Sequence, residues 1–383
     1  MHLHVLGAGS IGCLFAHHIA RAGWPVTLLL RRGALDAFDA GGRRVRCGGA
    51  EAECGAEAVA TAVAAAPPQH AAQHQGPILN LLAAQTAAAL ASVAPRLTSE
   101  SVVLLLQNGV LAVHEQLLGS FPDPSARPQF LLGSTTHGAW RRGPFDVVWA
   151  GQGAAVFGRP LLAGGGGDGS GGSDGAAAGA PAAAAAAGAD AGGAEPSRVS
   201  EVLSALADPK LAALRIDARL TPEALHEQLV SKLLVNVAVN PLTALLHCRN
   251  GGLQTEPARA LMRQLLSEAA AALGLAPPSS SGLGSSSSSG SSSSGGGGGG
   301  GGGAGPDLLA RVEAVLAATS INHNSMLQDV VRGGATEIDY LNGYVVACAA
   351  ARGVPAPLNE ALVRLIRARE AVPPELRVHE ELR

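Results

Sequence analysis

Apolar positions open the chain as a short run, His2 to Leu6, which reads as a buried strand and leads straight into Gly7-Ala8-Gly9-Ser10-Ile11-Gly12. From Cys13 to Ala22 the apolar residues recur at helical spacing and stop at Gly23; Pro25 to Leu30 is a second apolar run. Period and length together predict strand, glycine turn, helix and strand within about 30 residues. Ile78 to Leu82 and Ser101 to Leu106 predict two more buried strands, the second ending in Gln107-Asn108-Gly109. Leu131 to Trp140 and Asp146 to Phe157 suggest additional strands. From Thr221-Pro222-Glu223 the pattern turns helical, with Thr221 placed to cap the helix and Pro222 at its first position.

Composition changes this picture in two places. About Gly164 to Ala194 is almost entirely Gly, Ala, Ser and Asp, and about Pro277 to Gly305 is Ser followed by Gly. Neither stretch can bury enough apolar surface to offset its ordering entropy, so both read as flexible inserts. What remains, roughly 320 residues, suffices for two domains. Their expected extents are 1–217 and 218–383, each carrying one insert.

A net charge of −3 with scattered Lys and Arg argues against a nucleic-acid surface. The longest apolar run, Leu233 to Leu246, is interrupted by Asn236, Asn240 and Pro241, so no membrane span is expected. Five cysteines without a CxxC pair fit a reducing compartment and give no zinc or disulfide framework, and the histidines lack metal-ligand spacing. His137 reads as a hydrogen-bonded structural histidine. With a strand at the very start leaving no room for a leader, cytoplasm is the expected location. Monomer and homodimer both stay open.

The glycine turn carries the first chemistry. Gly7 permits a tight turn, Gly9 lets the backbone approach a pyrophosphate, and Gly12 lets helix and strand pack closely. The following helix offers amide N–H groups and a positive dipole end to phosphates, with Ala8, Ser10 and Ile11 in the same loop. An ordinary glycine turn is the alternative. At the end of the second strand, where an NAD site usually places Asp or Glu, stand Arg31 and Arg32. Guanidinium groups bind a 2′-phosphate that a carboxylate would repel, which favours NADP over NAD. A solvated basic turn is the other reading. Asn108 falls beyond the carboxyl end of a strand, where ligands of open α/β sheets bind, although Asn-Gly is also a common turn.

In the second half, Lys232, Asn236 and Asn240 recur every four residues within LVSKLLVNVAVNPLTALL, and Gln228 extends the row backwards. Four-residue spacing stacks these side chains along one helix face. An ammonium and two amides buried without partners would cost several kcal/mol, so a polar ligand is expected to supply partners; a second element could do the same. Lys232 can donate a proton and neutralise an oxyanion. Further on, Asn322 to Asp329 and Thr336 to Gly343 form a second polar constellation. Ser325 could contact a substrate carboxylate and Glu337 could orient Lys232, while Glu337 and Asp339 could equally cap the next helix.

Taken in order, GAGSIG, QNGV, STTHGA, KLLVNVAVNPLTAL, SMLQD and TEIDYLNG resemble the ketopantoate reductase family from the first strand to about Val354, skipping the inserts. The two C-terminal motifs are long and specific; GxGxxG is shared with many enzymes. The resemblance implies an α/β chain, an N-terminal Rossmann-like domain followed by a mainly α-helical C-terminal domain. It implies NADPH-dependent reduction of 2-dehydropantoate, a small 2-oxo acid, to (R)-pantoate on the route to pantothenate and coenzyme A. Carried over, Lys232 is the proton donor and Glu337 supports it and the nicotinamide. Asn236, Asn240, Asn250 and Ser325 bind substrate, Asn108 lies at cofactor and substrate, and Ala139 lies at the cofactor. Two positions depart from the family pattern. Leu82 stands where a lysine of a V-K-A-x-Q-T stretch contacts the cofactor, and Val230 replaces a tryptophan two residues before Lys232. A related 2-oxo or 3-hydroxy acid dehydrogenase, and a cofactor binder without turnover, are the alternatives.

Overall fold

The computed structural model describes residues 2–58, 78–80, 86–161, 197–275 and 308–373; both expected inserts and Leu82 lie outside the described residues. The chain forms two compact units, Met1–Ser231 and Lys232–Arg383.

In the first unit the chain runs β1 (Leu3–Leu6), α1 (Ser10–Arg21), β2 (Val26–Leu30), α2 (Arg32–Ala40), β3 (Arg44–Cys47), β4 (Ala50–Glu53), β5 (Gly55–Ala58) and β6 (Ile78–Asn80). It continues through α3 (Thr86–Val93), β7 (Val102–Leu105), α4 (Val110–Ser120), β8 (Gln129–Thr135), β9 (Gly138–Gly143), β10 (Asp146–Gly151), β11 (Ala155–Gly158), α5 (Arg198–Leu206) and β12 (Ile216–Asp217). One eight-stranded sheet has the order β12-β11-β8-β7-β6-β1-β2-β5. From β5 to β8 every pairing is parallel, and β11 then runs antiparallel to β8. β1, β2 and β7 are buried at every position, as expected of strands covered on both faces. The parallel part has the doubly wound order, and the strand sequence reverses between β1 and β6, which is where such sheets bind ligands beyond their carboxyl ends.

A second sheet, β4-β3-β10-β9, divides the two segments that were expected to hold additional strands. Leu131 to Trp140 is two strands in different sheets, as is Asp146 to Phe157. The chain changes sheet at Thr136-His137 and again at Gln152-Gly153, and these crossings touch: a Cβ on Gly153 would sit 2.4 Å from the Thr136 backbone. Alternation alone cannot show such a switch, because both halves keep a strand-like pattern. His137 holds the crossing, accepting from the Gly153 N–H through Nδ1 at 2.9 Å, so Nε2 carries the proton and donates to Leu214 O at 2.9 Å. Burial lowers its pKa, consistent with a neutral structural ring. Helix α1 packs on strands of both sheets, which explains why it is buried from Gly12 to His17 almost without interruption.

The second unit takes most of α6 (Pro222–Leu246), then α7 (Glu256–Leu273), α8 (Leu308–Ala318), α9 (Ser325–Arg332), α10 (Asn342–Arg352) and α11 (Pro357–Ala371). Thr221 Oγ1 accepts from the Ala224 N–H at 3.3 Å, the expected cap. α6 corrects the broken-run reading: it continues through Pro241 for 25 residues, long and apolar enough to cross a membrane, with 67% of its most apolar window buried inside the protein. α7 packs against α8, α10 and α11.

Candidate active site

The glycine turn sits where β1 ends. Gly7 has φ 108°, a conformation that a side chain would strain, so the tight turn needs glycine there. Gly9 caps α1 with extended backbone and no side-chain cap, and a Cβ added to it would meet nothing within 4 Å among the described residues. The first intrahelical bond runs from Cys13 N–H to Gly9 O, leaving the earlier amides at the helix start as the groups an α-helix cannot satisfy itself. Ser10, Ile11 and Gly12 form that first turn, without an acidic residue in it, while Ala8 and Ile11 pack on the core. A helix N-terminus approached by a glycine without a side chain fits a pyrophosphate.

Since β1, β2, β6 and β7 are parallel, their carboxyl ends share one edge. That edge brings together the glycine turn, Arg31 directly after β2, and Asn108 after β7. Arg31 is exposed and caps α2, and Arg32 is its first residue; no acidic side chain occupies the first turn. Neither position carries the carboxylate that would repel a 2′-phosphate. Ala139 lies elsewhere, on β9 opposite Trp149, with its methyl against the core.

On α6 the polar row descends from surface to core. Gln228 is exposed, Lys232 and Asn236 are partly exposed, and Asn240 is 5% exposed. Burial pulls the Lys232 pKa down from 10.5 to about 8, while the nearby negative charge of Glu337 raises it. An ammonium in this range is charged at neutral pH and gives up its proton readily. Glu337 is the N-cap residue of a 3-10 turn, Ile338–Tyr340, with no side-chain cap bond, and Asp339 is paired at the surface with Arg367 at 2.8 Å. Neither acid caps α10, whose N-cap is Leu341.

Asn240, Asn250 and the start of α9 are joined by a network that the sequence reading missed. The Thr243 hydroxyl donates to Asn240 O at 2.9 Å and accepts from Asn324 Nδ2. Asn324 also donates to Asn250 Oδ1 at 3.2 Å, and Asn250 Nδ2 donates to Thr319 Oγ1 at 2.9 Å. The Asn324 oxygen caps α9 by accepting from Leu327 N–H at 3.1 Å, so it also sets the position of Ser325, the first residue of that helix. Asn250 thus uses both ends of its amide on the scaffold. Asn324 lies within the polar stretch Asn322 to Asp329, but partners more than 70 residues away leave no periodic signal.

Residues 3–161 match the family described as Ketopantoate reductase PanE/ApbA, and residues 224–370 match Ketopantoate reductase PanE/ApbA C terminal. A probable 2-dehydropantoate 2-reductase of Schizosaccharomyces pombe is 27% identical over 374 residues, covering 96% of each chain. The crystal structure of a probable 2-dehydropantoate 2-reductase from Bacillus subtilis is 24% identical at a TM-score of 0.64, covering 96% of this chain and 100% of that one. The fold extends to a D-mandelate dehydrogenase solved with NADH and anilino(oxo)acetate, 20% identical at a TM-score of 0.66 and covering 97% and 98% of the two chains. With both halves matched in order and relatives aligned over nearly their full length, the chain belongs to the ketopantoate reductase family.

Proposed function

We propose that this protein reduces 2-dehydropantoate to pantoate with NADPH, with Lys232 as the proton donor. The observation that carries the reading is a lysine brought to a pKa of about 8 within a row of asparagines on α6. Gly7 to Gly12 would hold the pyrophosphate against the start of α1, and Arg31 would pair with the 2′-phosphate. Asn108, at the same sheet edge, would contact cofactor and substrate. Bound there, NADPH supplies the hydride that reduces the keto carbon. As negative charge grows on the carbonyl oxygen, Lys232 stabilises it and passes a proton from Nζ to it. Glu337 keeps Lys232 charged between turnovers by opposing the effect of burial. Asn236 and Asn240 hold the substrate in register, and Ser325, at the start of α9, offers its hydroxyl to the substrate carboxylate. Asn250 supports this end of the site through Asn324.

The D-mandelate dehydrogenase fold makes a different 2-oxo acid the reading to test against. Purified protein is assayed for NADPH consumption with 2-dehydropantoate and with phenylglyoxylate, each repeated with NADH. We expect kcat/KM to favour 2-dehydropantoate by at least about 100-fold, the scale on which a site built to hydrogen-bond its substrate discriminates. Preference for phenylglyoxylate would move the protein to another 2-oxo acid, and NADPH binding without consumption of either acid would make it a binding protein.

A further inference from the structure

Pro241 stands inside α6, four residues after Val237. Proline has no N–H, so it cannot supply the helical hydrogen bond to the Val237 carbonyl, and a gap opens in the ladder. The fold fills this gap from a distance of 105 residues: Asn342 Nδ2 donates to Val237 O at 3.1 Å. The second proton of the same nitrogen goes to Asn359 Oδ1 at 3.0 Å. Both asparagines are fully buried.

Their orientation is forced. Asn359 Nδ2 donates to Glu268 Oε2 at 2.9 Å and to Leu265 O at 3.3 Å. A carboxylate and a carbonyl only accept, so Asn359 must turn its nitrogen to them and its oxygen to Asn342. Asn342 in turn faces two acceptors and must present its nitrogen to both. Rotating either amide would set oxygen against oxygen. Among the described residues the Asn342 oxygen is left buried without a partner, a cost that shows which end of the amide the fold requires.

The gap lies within the polar row. Val237 follows Asn236 and Pro241 follows Asn240, so the geometry of α6 at this point decides where Asn240 sits relative to Lys232. We propose that Asn342 is a positioning residue for the reduction: by standing in for the missing N–H of Pro241, it fixes α6 so that Asn240 meets the substrate in register with Lys232. The inference rests on the reading of this row as the substrate site, and Asn342 itself touches only the scaffold.

Four proteins test it: the parent, Asn342→Leu, Pro241→Ala and the double variant. With Pro241 present, Asn342→Leu should raise the KM for 2-dehydropantoate about tenfold, equivalent to 1.4 kcal/mol of binding. Turnover should stay within about threefold and NADPH affinity should be unchanged. In the Pro241→Ala background the backbone supplies the N–H to Val237 O, so adding Asn342→Leu should move KM less than about twofold. An equal rise in both backgrounds would overturn the proposal. If Asn342→Leu does not fold, rescue of folding by Pro241→Ala supports the proposal and failure to rescue overturns it. Should the parent consume no 2-dehydropantoate, the functional reading fails by itself. Urea midpoints of the four proteins then decide the helix contact: a loss on Asn342→Leu that vanishes in the Pro241→Ala background upholds it, and an unchanged loss refutes it.

Discussion

The charge of Glu337 acts on Lys232 against the effect of burial, leaving the lysine with a pKa of about 8 in place of 10.5. Protonated Lys232 is the form that can donate. In the direction of reduction, kcat/KM should therefore be level below about pH 8 and fall about tenfold per pH unit above it. Glu337→Gln removes the contribution that raises the pKa, so the fall should begin at lower pH. A limb that stays in place would disconnect the two residues.

The same lowering makes a prediction about stability. The folded lysine binds its proton less tightly than the unfolded one, so between about 8 and 10.5 the unfolded chain holds more protons and stability rises with pH. Below about 8 the penalty is present in full, on the order of 3 kcal/mol. Lys232→Met should thus raise the urea midpoint at pH 7 while abolishing turnover. A lower midpoint would mean that the ammonium is stabilised by more than Glu337.

Cofactor choice is read at Arg31. If its guanidinium meets the 2′-phosphate, Arg31→Ala should raise the KM for NADPH by one to two orders of magnitude, in line with about 1.5–3 kcal/mol for a charged hydrogen bond. NADH, which lacks that phosphate, should be affected less than about twofold. Equal losses with both cofactors would place the 2′-phosphate elsewhere.

Glu268 anchors α11 from outside, accepting from the N–H groups of Leu358 and Asn359 and from Asn359 Nδ2. Glu268→Ala takes this acceptor from the Leu358 and Asn359 N–H groups and leaves Asn359 Nδ2 with Leu265 O alone, so it should lower stability by about 2–4 kcal/mol. Glu268→Gln, which keeps one oxygen, should lose less. Equal urea midpoints for parent and Glu268→Ala would show that the cluster does not hold the helix.

What could be read before any coordinates were local. Gly7, the apolar runs of β1, β2 and β7, the cap at Thr221 and the four-residue spacing of Lys232, Asn236 and Asn240 each state their geometry within a few residues of sequence. The exchange of strands between two sheets at Thr136 and Gly153 depends on two backbones touching, which no period encodes. β3, β4 and β5 passed unnoticed because half of their positions face solvent, most of those carrying charge. Asp339 looked like a helix cap until its partner, Arg367, was placed 28 residues later. The Thr243-Asn324-Asn250 network and the Asn342 bond to Val237 were invisible for the same reason: each joins residues remote in sequence, and a lone Asn reads identically whether its amide is a scaffold bond or a ligand contact.

Single-turnover reduction of 2-dehydropantoate by NADPH-loaded Lys232→Ala, beside an NADPH titration of the same protein, isolates the role of Lys232. Losing a preorganised donor to a developing oxyanion costs about 10²–10³ in rate. Lys232→Ala should be slower by at least that factor while binding NADPH as the parent does, because the glycine turn and Arg31 remain intact. Near-parental reduction by the alanine variant would exclude Lys232 as the proton donor and hand the role of acid to another group, with Glu337 the first to examine.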